Sequence, residues 1–398
     1  MFYYIILIII LIILFIIGYI RIKFRFWSQQ PVFHIYDFGY YFYYPGIINH
    51  DLPEKNKYTN FKNIETIEYQ KISKNKINKM ITFIKIHYLQ NKDNFFSPTS
   101  KNILPYFEAN NQKSYISFYN EDYLLIDNKK NITIDEKQIV GIITSRPINI
   151  QINKSGSKNN FIAYYVDYLC VDKLYRKKGI AQQLIQTHHY NQSYSNKNIC
   201  ISLFKKEEEL TGIVPLCVYN TYGFSVKKWT KPLHLNAMYT LLKINSSNFH
   251  FLLDFIKNNN TNFDIIINSD ISNILELIQT QNVFIYTILF DNNIICAYFY
   301  RKSCTFIEKK LEVLSCFASI NQSLNNNEIF IQGFKISFWK IAEENKFGFA
   351  AIENISHNNI IIQNLLIKTI PLIISPTAYF FYNFVYSTFK PEKVLIIN

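Results

Sequence analysis

The apolar positions of this chain change period several times. Residues 2–20, Phe2 through Ile20, carry no charge and are almost wholly Ile, Leu, Phe and Tyr. As a helix this run is about 30 Å long, the thickness of a hydrocarbon core. So long an apolar run on every face suits lipid better than a protein interior. Arg21, Lys23 and Arg25 follow at once. No basic segment precedes the run and no small-residue cleavage site ends it, so it does not read as a secretory leader. The pattern predicts a single-pass membrane span whose basic flank holds the remainder of the chain in the cytosol.

Beyond the span, an aromatic segment (Phe24–Tyr44) gives way to a polar stretch (His50–Asn63) that reads as a surface loop. Residues 68–90 place Ile72, Ile77, Met80, Ile81, Ile84 and Tyr88 at helical spacing. Residues 138–151 and 161–171 alternate apolar and polar around the turn-rich Asn153–Asn160, which predicts an antiparallel hairpin. A helix from Gly179 with Ala181, Leu184 and Ile185 on one face follows, then a strand over Asn198–Phe204. The second half repeats this order. It has a helix at Phe249–Ile256, strands at Val283–Phe290, Ile294–Tyr300 and Leu311–Ile320, a helix at Phe334–Glu344 and a strand at Phe349–Ile355. The pattern is α/β with a mixed sheet, and a boundary is expected around Ile244–Phe249.

Composition narrows the function. The 398 residues exceed one ordinary core and suit two domains. The net charge of +13 favours an anionic partner: nucleic acid, a phosphorylated ligand or an acidic membrane face. There is no G-x-G-x-x-G and no G-x-x-x-x-G-K-[ST], so dinucleotide and P-loop folds are excluded. The wealth of Ile, Asn, Lys, Tyr and Phe matches an AT-rich genome, such as a large DNA virus or an AT-rich eukaryote. Part of the charge is then mutational. The six cysteines lack zinc or redox spacing and are expected reduced and mostly buried. His188 and His189 point about 100° apart on a helix and read as surface residues. No metal site is proposed.

The densest chemistry lies where a strand ends near Val171, a basic loop carries Arg176, Lys177 and Lys178, and Gly179 opens a helix. A helix N-terminus offers unpaired N–H groups and a positive dipole end, and glycine admits close backbone approach. Three cations alone read as a solvated turn. The strand, R-x-x-G-x-A and amphipathic helix together point to a pyrophosphate.

The loop resembles that of the GCN5-related acyltransferases, and longer segments narrow the likeness. Tyr165-Val-Asp-Tyr-Leu-Cys-Val-Asp-Lys173 resembles the N-myristoyltransferase signature E-I-N-F-L-C-x-H-K. Phe24-Arg-Phe-Trp-Ser-Gln-Gln-Pro-Val32 is similar to that family's Y-x-F-W-x-x-Q-P-V. Val140–Ile150 resembles its preceding strand, Tyr88–Phe96 its acidic peptide-contacting loop, and Tyr379–Phe384 with Glu392–Asn398 its terminus.

The resemblance implies an α/β chain of two fused GCN5-related acyltransferase-like (GNAT) domains with mixed, mostly antiparallel sheets, here preceded by the one transmembrane helix that the apolar run predicts. Residues 1–23 would be anchor and basic flank, 24–245 the acyl-CoA-binding domain and 246–398 the peptide-binding domain. It implies a glycylpeptide N-tetradecanoyltransferase, with myristoyl-CoA as donor and N-terminal glycine peptides as acceptors; a monomer is expected, and the chain's own motifs point to no metal and no nucleic-acid partner. Arg25, Phe26 and Trp27 would line the CoA, as would Tyr168, Leu169, Cys170 and Val171. Arg176, Lys177, Lys178, Gly179, Ile180 and Ala181 would hold its phosphates. The amides of Tyr168 and Leu169 would form the oxyanion hole, and Asn398 would act through its terminal carboxylate as base. Tyr88, Leu89, Asp93 and Phe96 would contact the peptide.

The chain departs from the family at several points. Tyr165 and Asp172 replace the signature's acid and histidine, and the acidic loop keeps only Asp93. A basic-peptide preference should therefore weaken. The region around Thr369–Ser375 lacks the family's K-F-G-x-G-D-G, and the terminus is one residue short. These departures leave two alternatives: a short-chain acyl-CoA N-acetyltransferase, and an inactive membrane-bound relative that binds lipid or peptide.

Overall fold

The computed structural model describes residues 2–90, 94–127, 132–154, 159–207, 212–307, 311–323 and 327–398. The apolar run forms one helix, Phe2–Lys23, long and apolar enough to cross a membrane, with none of its residues buried. Its last turns meet the body, where a Cβ on Gly212 would come within 2.6 Å of Ile20. Arg21 there lies over the Tyr36 ring at 4.9 Å.

The body is built on one mixed sheet of 15 strands among the described residues. From one edge it runs Val394–Ile397, Ile265–Asn268, Ile132–Ile152, Asn159–Val171, Ser202–Glu207 and Ile373–Tyr382. It continues through Cys217–Ser225, Phe347–Glu353, Leu311–Asn321, Asn293–Ile307 and Val283–Phe290 to Tyr239–Lys243. Three of the pairings are parallel and the rest antiparallel. This is the mixed, mostly antiparallel α/β architecture expected from the sequence.

The Ile244–Phe249 boundary falls between the strand Tyr239–Lys243 and the helix Phe249–Asn258. The sheet itself is continuous across the two halves. Cys217–Ser225 lies between two strands from beyond residue 245, and Ile265–Asn268 pairs with Ile132–Ile152. The expected hairpin is present as Ile132–Ile152 against Asn159–Val171.

Several elements are shifted from expectation. The helix read over 68–90 is confined to Lys74–His87, because Ile64–Glu68 is a strand paired with Tyr115–Tyr119 and Ser73 caps the helix. The strand expected at Asn198 begins at Ser202, and the helix expected at Phe334 begins at Asn327. The strands Tyr115–Asp127 and Ile373–Tyr382 and the helices Ile271–Gln279 and Asn358–Leu366 were not legible from the pattern.

The helix Ile180–Ser195 packs closely on the sheet because Gly141 lacks a side chain: a Cβ there would meet Leu184 at 2.8 Å and Ile180 at 3.2 Å. The tight approach also buries His188 and His189, correcting their reading as surface residues. His188 sits between Ser117 Oγ (2.7 Å) and Ser145 Oγ (2.9 Å). Burial pushes the two imidazoles down to about 3 and about 4, so both are neutral at physiological pH. All six cysteines are free thiols, five of them buried.

Candidate active site

Two parallel strands create the opening for the site. Asn159–Val171 and Ser202–Glu207 are paired only at Tyr164–Ser202, Tyr165–Leu203 and Val166–Phe204, although both strands continue. Opposite that gap the ladder to Ile132–Ile152 slips: Ile142 pairs with Cys170 but Thr144 with Asp167. The extra residue makes a bulge, and Tyr168 takes a left-handed φ of +49°. A bulge releases N–H groups from the ladder, which is what an oxyanion site needs.

Two cavities meet at this bulge. The first, of about 500 Å³, is lined by Trp27, Leu169, Ile185, Phe204 and Tyr382 among others. Trp27 stacks on Phe204 at 5.5 Å, and Phe204 on Phe380 at 5.3 Å. That volume is ordinary for a ligand pocket. The second, of about 360 Å³, holds Tyr106, Arg146, Arg301, Lys302, Phe96 and Glu353. Tyr88, Leu89, Tyr165, Asp167, Tyr168, Lys205 and Glu207 border both.

Asp167 is the residue that sequence reasoning missed. Its Oδ1 accepts the Tyr168 N–H at 2.8 Å and the Tyr88 hydroxyl at 3.3 Å. The amide expected to receive a thioester oxygen is thus occupied by the chain's own carboxylate. The signal lay in the signature itself, whose third position is Asn in the motif and Asp here. Tyr88 and Tyr168 are held neutral by burial, with Asp167 adding to the effect.

The second cavity contains a buried charge network. Glu353 pairs with Lys205 Nζ at 3.2 Å and with Arg301, and accepts the Tyr219 hydroxyl at 2.5 Å. Burial alone would raise its carboxyl, but Lys205, Arg301 and Tyr219 hold it down to about 2. These residues come from four strands, and only the charge within otherwise apolar runs such as Phe347–Glu353 hinted at them.

The basic loop has the expected form. After Val171, Asp172 Oδ1 accepts the Leu174 N–H at 2.9 Å and starts a short turn. Lys177 and Gly179 have φ of +65° and +79°, which turn the chain into the helix N-terminus. Lys177 and Lys178 are exposed, with Gly179, Ile180 and Ala181 at the helix start. Arg176 is spent otherwise: its guanidinium donates to the carbonyls of Val171 and His87, both at 3.1 Å, bracing the loop.

The remaining expected residues divide. Trp27, Tyr168, Leu169, Tyr88, Leu89 and Phe96 are brought together at the cavities. Phe26 is buried against Trp27 and Tyr58, while Arg25 is exposed. The Cys170 side chain faces the core, where burial raises its thiol to about 12, and Val171 packs beneath the helix. Asn398 is buried at the end of the Val394–Ile397 strand. It is not among the described residues that line either cavity. Asp93 lies outside the described residues.

Comparisons with known proteins agree with this geometry. Residues 48–217 match the model of the family described as myristoyl-CoA:protein N-myristoyltransferase, N-terminal domain. Among curated protein sequences none matches the chain. Saccharomyces cerevisiae N-myristoyltransferase with bound myristoyl-CoA superposes with a TM-score of 0.72 at 12% identity, covering 93% of this chain and 90% of that one. A second structure of the yeast enzyme with myristoyl-CoA gives 0.69 at 12% identity, over 92% and 94%. A tandem GNAT protein from the clavulanic acid biosynthesis pathway gives 0.52 at 8% identity, over 82% and 100%. The chain is an acyltransferase whose residues 48–217 match the N-myristoyltransferase N-terminal domain and whose fold is that of the yeast enzyme.

Proposed function

We propose that this chain transfers a myristoyl group from myristoyl-CoA to the amine of an N-terminal glycine. The observation that carries the reading is the meeting of two cavities at a bulged strand beside an open helix N-terminus. The acyl chain would enter the first cavity, and the peptide would approach through the second. Lys177 and Lys178 with the amides of Gly179, Ile180 and Ala181 would hold the CoA phosphates, as a helix N-terminus favours anions. Arg25, Phe26 and Trp27 would flank the CoA. Arg176 would shape the loop rather than contact phosphate.

The amine would attack the thioester carbon to form a tetrahedral adduct with a new C–N bond, which collapses as the C–S bond breaks and CoA leaves as its thiolate, with no acyl-enzyme. The amides of Tyr168 and Leu169 would stabilise the oxyanion. Asp167 must first release the Tyr168 N–H, and an arriving ammonium supplies a new partner for its carboxylate. Two carboxylates are candidates for the amine's proton: the α-carboxylate of Asn398 and Asp167. Asp167 is favoured because it borders both cavities.

In this reading residues 24–245 bind acyl-CoA and 246–398 supply much of the peptide site. Phe2–Lys23 anchors a monomer to a membrane, with Arg21, Lys23 and Arg25 on the cytosolic side. Labelled acyl-CoAs of two to sixteen carbons, offered with Gly-initiated peptides, test the reading. Transfer should peak near fourteen carbons. A preference for acetyl-CoA would establish the short-chain alternative, and tight myristoyl-CoA binding without transfer to any glycine peptide would establish the inactive one.

A further inference from the structure

The charges of the second cavity are not paired one to one. Glu353 is saturated by Arg301, Lys205 and Tyr219. Lys302 faces Glu312 at 3.8 Å. Glu207 is exposed, and Asp167 is held by Tyr168 and Tyr88. Arg146 is the group left over. It is 3% exposed and lines this cavity, yet no carboxylate among the described residues lies within ion-pair distance of it. Its guanidinium donates to Ser269 Oγ at 3.1 Å and lies between the rings of Tyr106 (5.1 Å) and Tyr165 (5.0 Å). A neutral hydroxyl and two rings compensate a buried cation only in part, since an uncompensated buried charge costs several kcal/mol.

Arg146 stands opposite Tyr165 in the ladder, two residues along the strand from Asp167. Residues two apart share one face of a strand and are separated by about 7 Å. Arg146 and Asp167 are therefore diagonal neighbours on adjacent strands, about 7–8 Å apart at the backbone, and both line this cavity. An extended peptide advances about 3.3–3.6 Å per residue. A ligand with its amine at Asp167 brings the side chain of its second or third residue to Arg146.

We propose that the second cavity selects glycine-initiated peptides with an acidic residue at position two or three, and that Arg146 is its counter-ion. The inference rests on the proposed function, because it takes the amine to lie at Asp167. Aspartate or glutamate replaces the missing anion and makes a charge-assisted hydrogen bond with the guanidinium. A lysine there meets the buried Arg146 guanidinium as a like charge.

The test compares peptides identical except for Asp, Asn or Lys at position two, and separately at position three. Their binding is measured by calorimetry to the full chain loaded with a non-reactive thioether analogue of myristoyl-CoA. This reads selectivity without turnover, so a failure of transfer leaves it interpretable. The acidic peptide at one of the two positions should bind about tenfold or more tighter than its amide, and the Lys peptide weakest. Arg146→Gln should abolish the preference and Arg146→Lys should restore part of it, with affinity for the analogue unchanged in both. Equal affinities for Asp and Asn peptides at both positions would overturn the proposal. So would a preference that survives Arg146→Gln, which would place the anionic partner of Arg146 within the chain itself.

Discussion

Asp167 and Glu353 are both acids in the second cavity, and their surroundings give them different work. Asp167 is partly exposed at the junction, with one amide and one phenol to hold it. It is therefore the carboxylate that an incoming amine meets. Asp167→Asn should lower kcat about 10²–10³-fold, the usual loss of a general base, with myristoyl-CoA affinity unchanged. Appending one residue after Asn398 should leave kcat within a few-fold. The opposite pattern, measured by single-turnover transfer, would assign the proton to the terminal carboxylate.

Glu353 is structural by the same reasoning. Its carboxyl lies below the ordinary value of 4.5, at about 2, so its folded-state pKa is depressed. The stability it contributes is present above the ordinary value and is lost as pH falls toward about 2. Glu353→Gln would leave Lys205 and Arg301 without a buried counter-ion and should cost about 3–5 kcal/mol near neutrality. Urea unfolding from pH 6 down to 2 should show the parent losing stability more steeply than the variant. Parallel curves would count against the network.

At the scale of elements, the helices that bear on function were readable where a local rule dictated them. Ile180–Ser195 starts after Gly179, whose φ of +79° suits glycine. Phe2–Lys23 follows from hydropathy alone. None of its residues is buried, and its end near Ile20 touches the body. Deleting residues 2–17 should release the protein from membranes on carbonate extraction and leave acyl transfer in detergent intact. Continued membrane association after the deletion would remove the anchor from the proposal. The strand Ile373–Tyr382 was not readable, since a short apolar run with one Pro fits several states. The helix read over 68–90 began too early because apolar spacing does not reveal that Ile64–Glu68 pairs with a distant strand.

At the scale of the molecule, the two halves exchange strands. Ile265–Asn268 completes the sheet beside Ile132–Ile152, and Ile373–Tyr382 covers Ser202–Glu207. Residues 24–245 expressed alone would expose both sides of that sheet as unpaired edges. They should aggregate or lack near-ultraviolet circular dichroism, and co-expression with residues 246–398 should recover a soluble complex. A well-folded isolated first half would show that the exchange is dispensable.

The sequence by itself determined the features governed by neighbours along the chain. These are the apolar N-terminal helix, the pairing of Ile132–Ile152 with Asn159–Val171, the turn into the helix at Gly179 and the signature from Tyr165 to Lys173. Each depends on backbone preference or periodicity within a few residues. Only the tertiary structure decided that Asp167 takes the Tyr168 amide, that Arg146 has no carboxylate in ion-pair reach among the described residues, and that Glu353 meets Lys205 and Arg301 across 148 and 52 residues of chain. It also decided that His188 and His189 are buried. Strand pairing joins distant segments, and the electrostatics of the site follow from which charges that pairing brings together and buries.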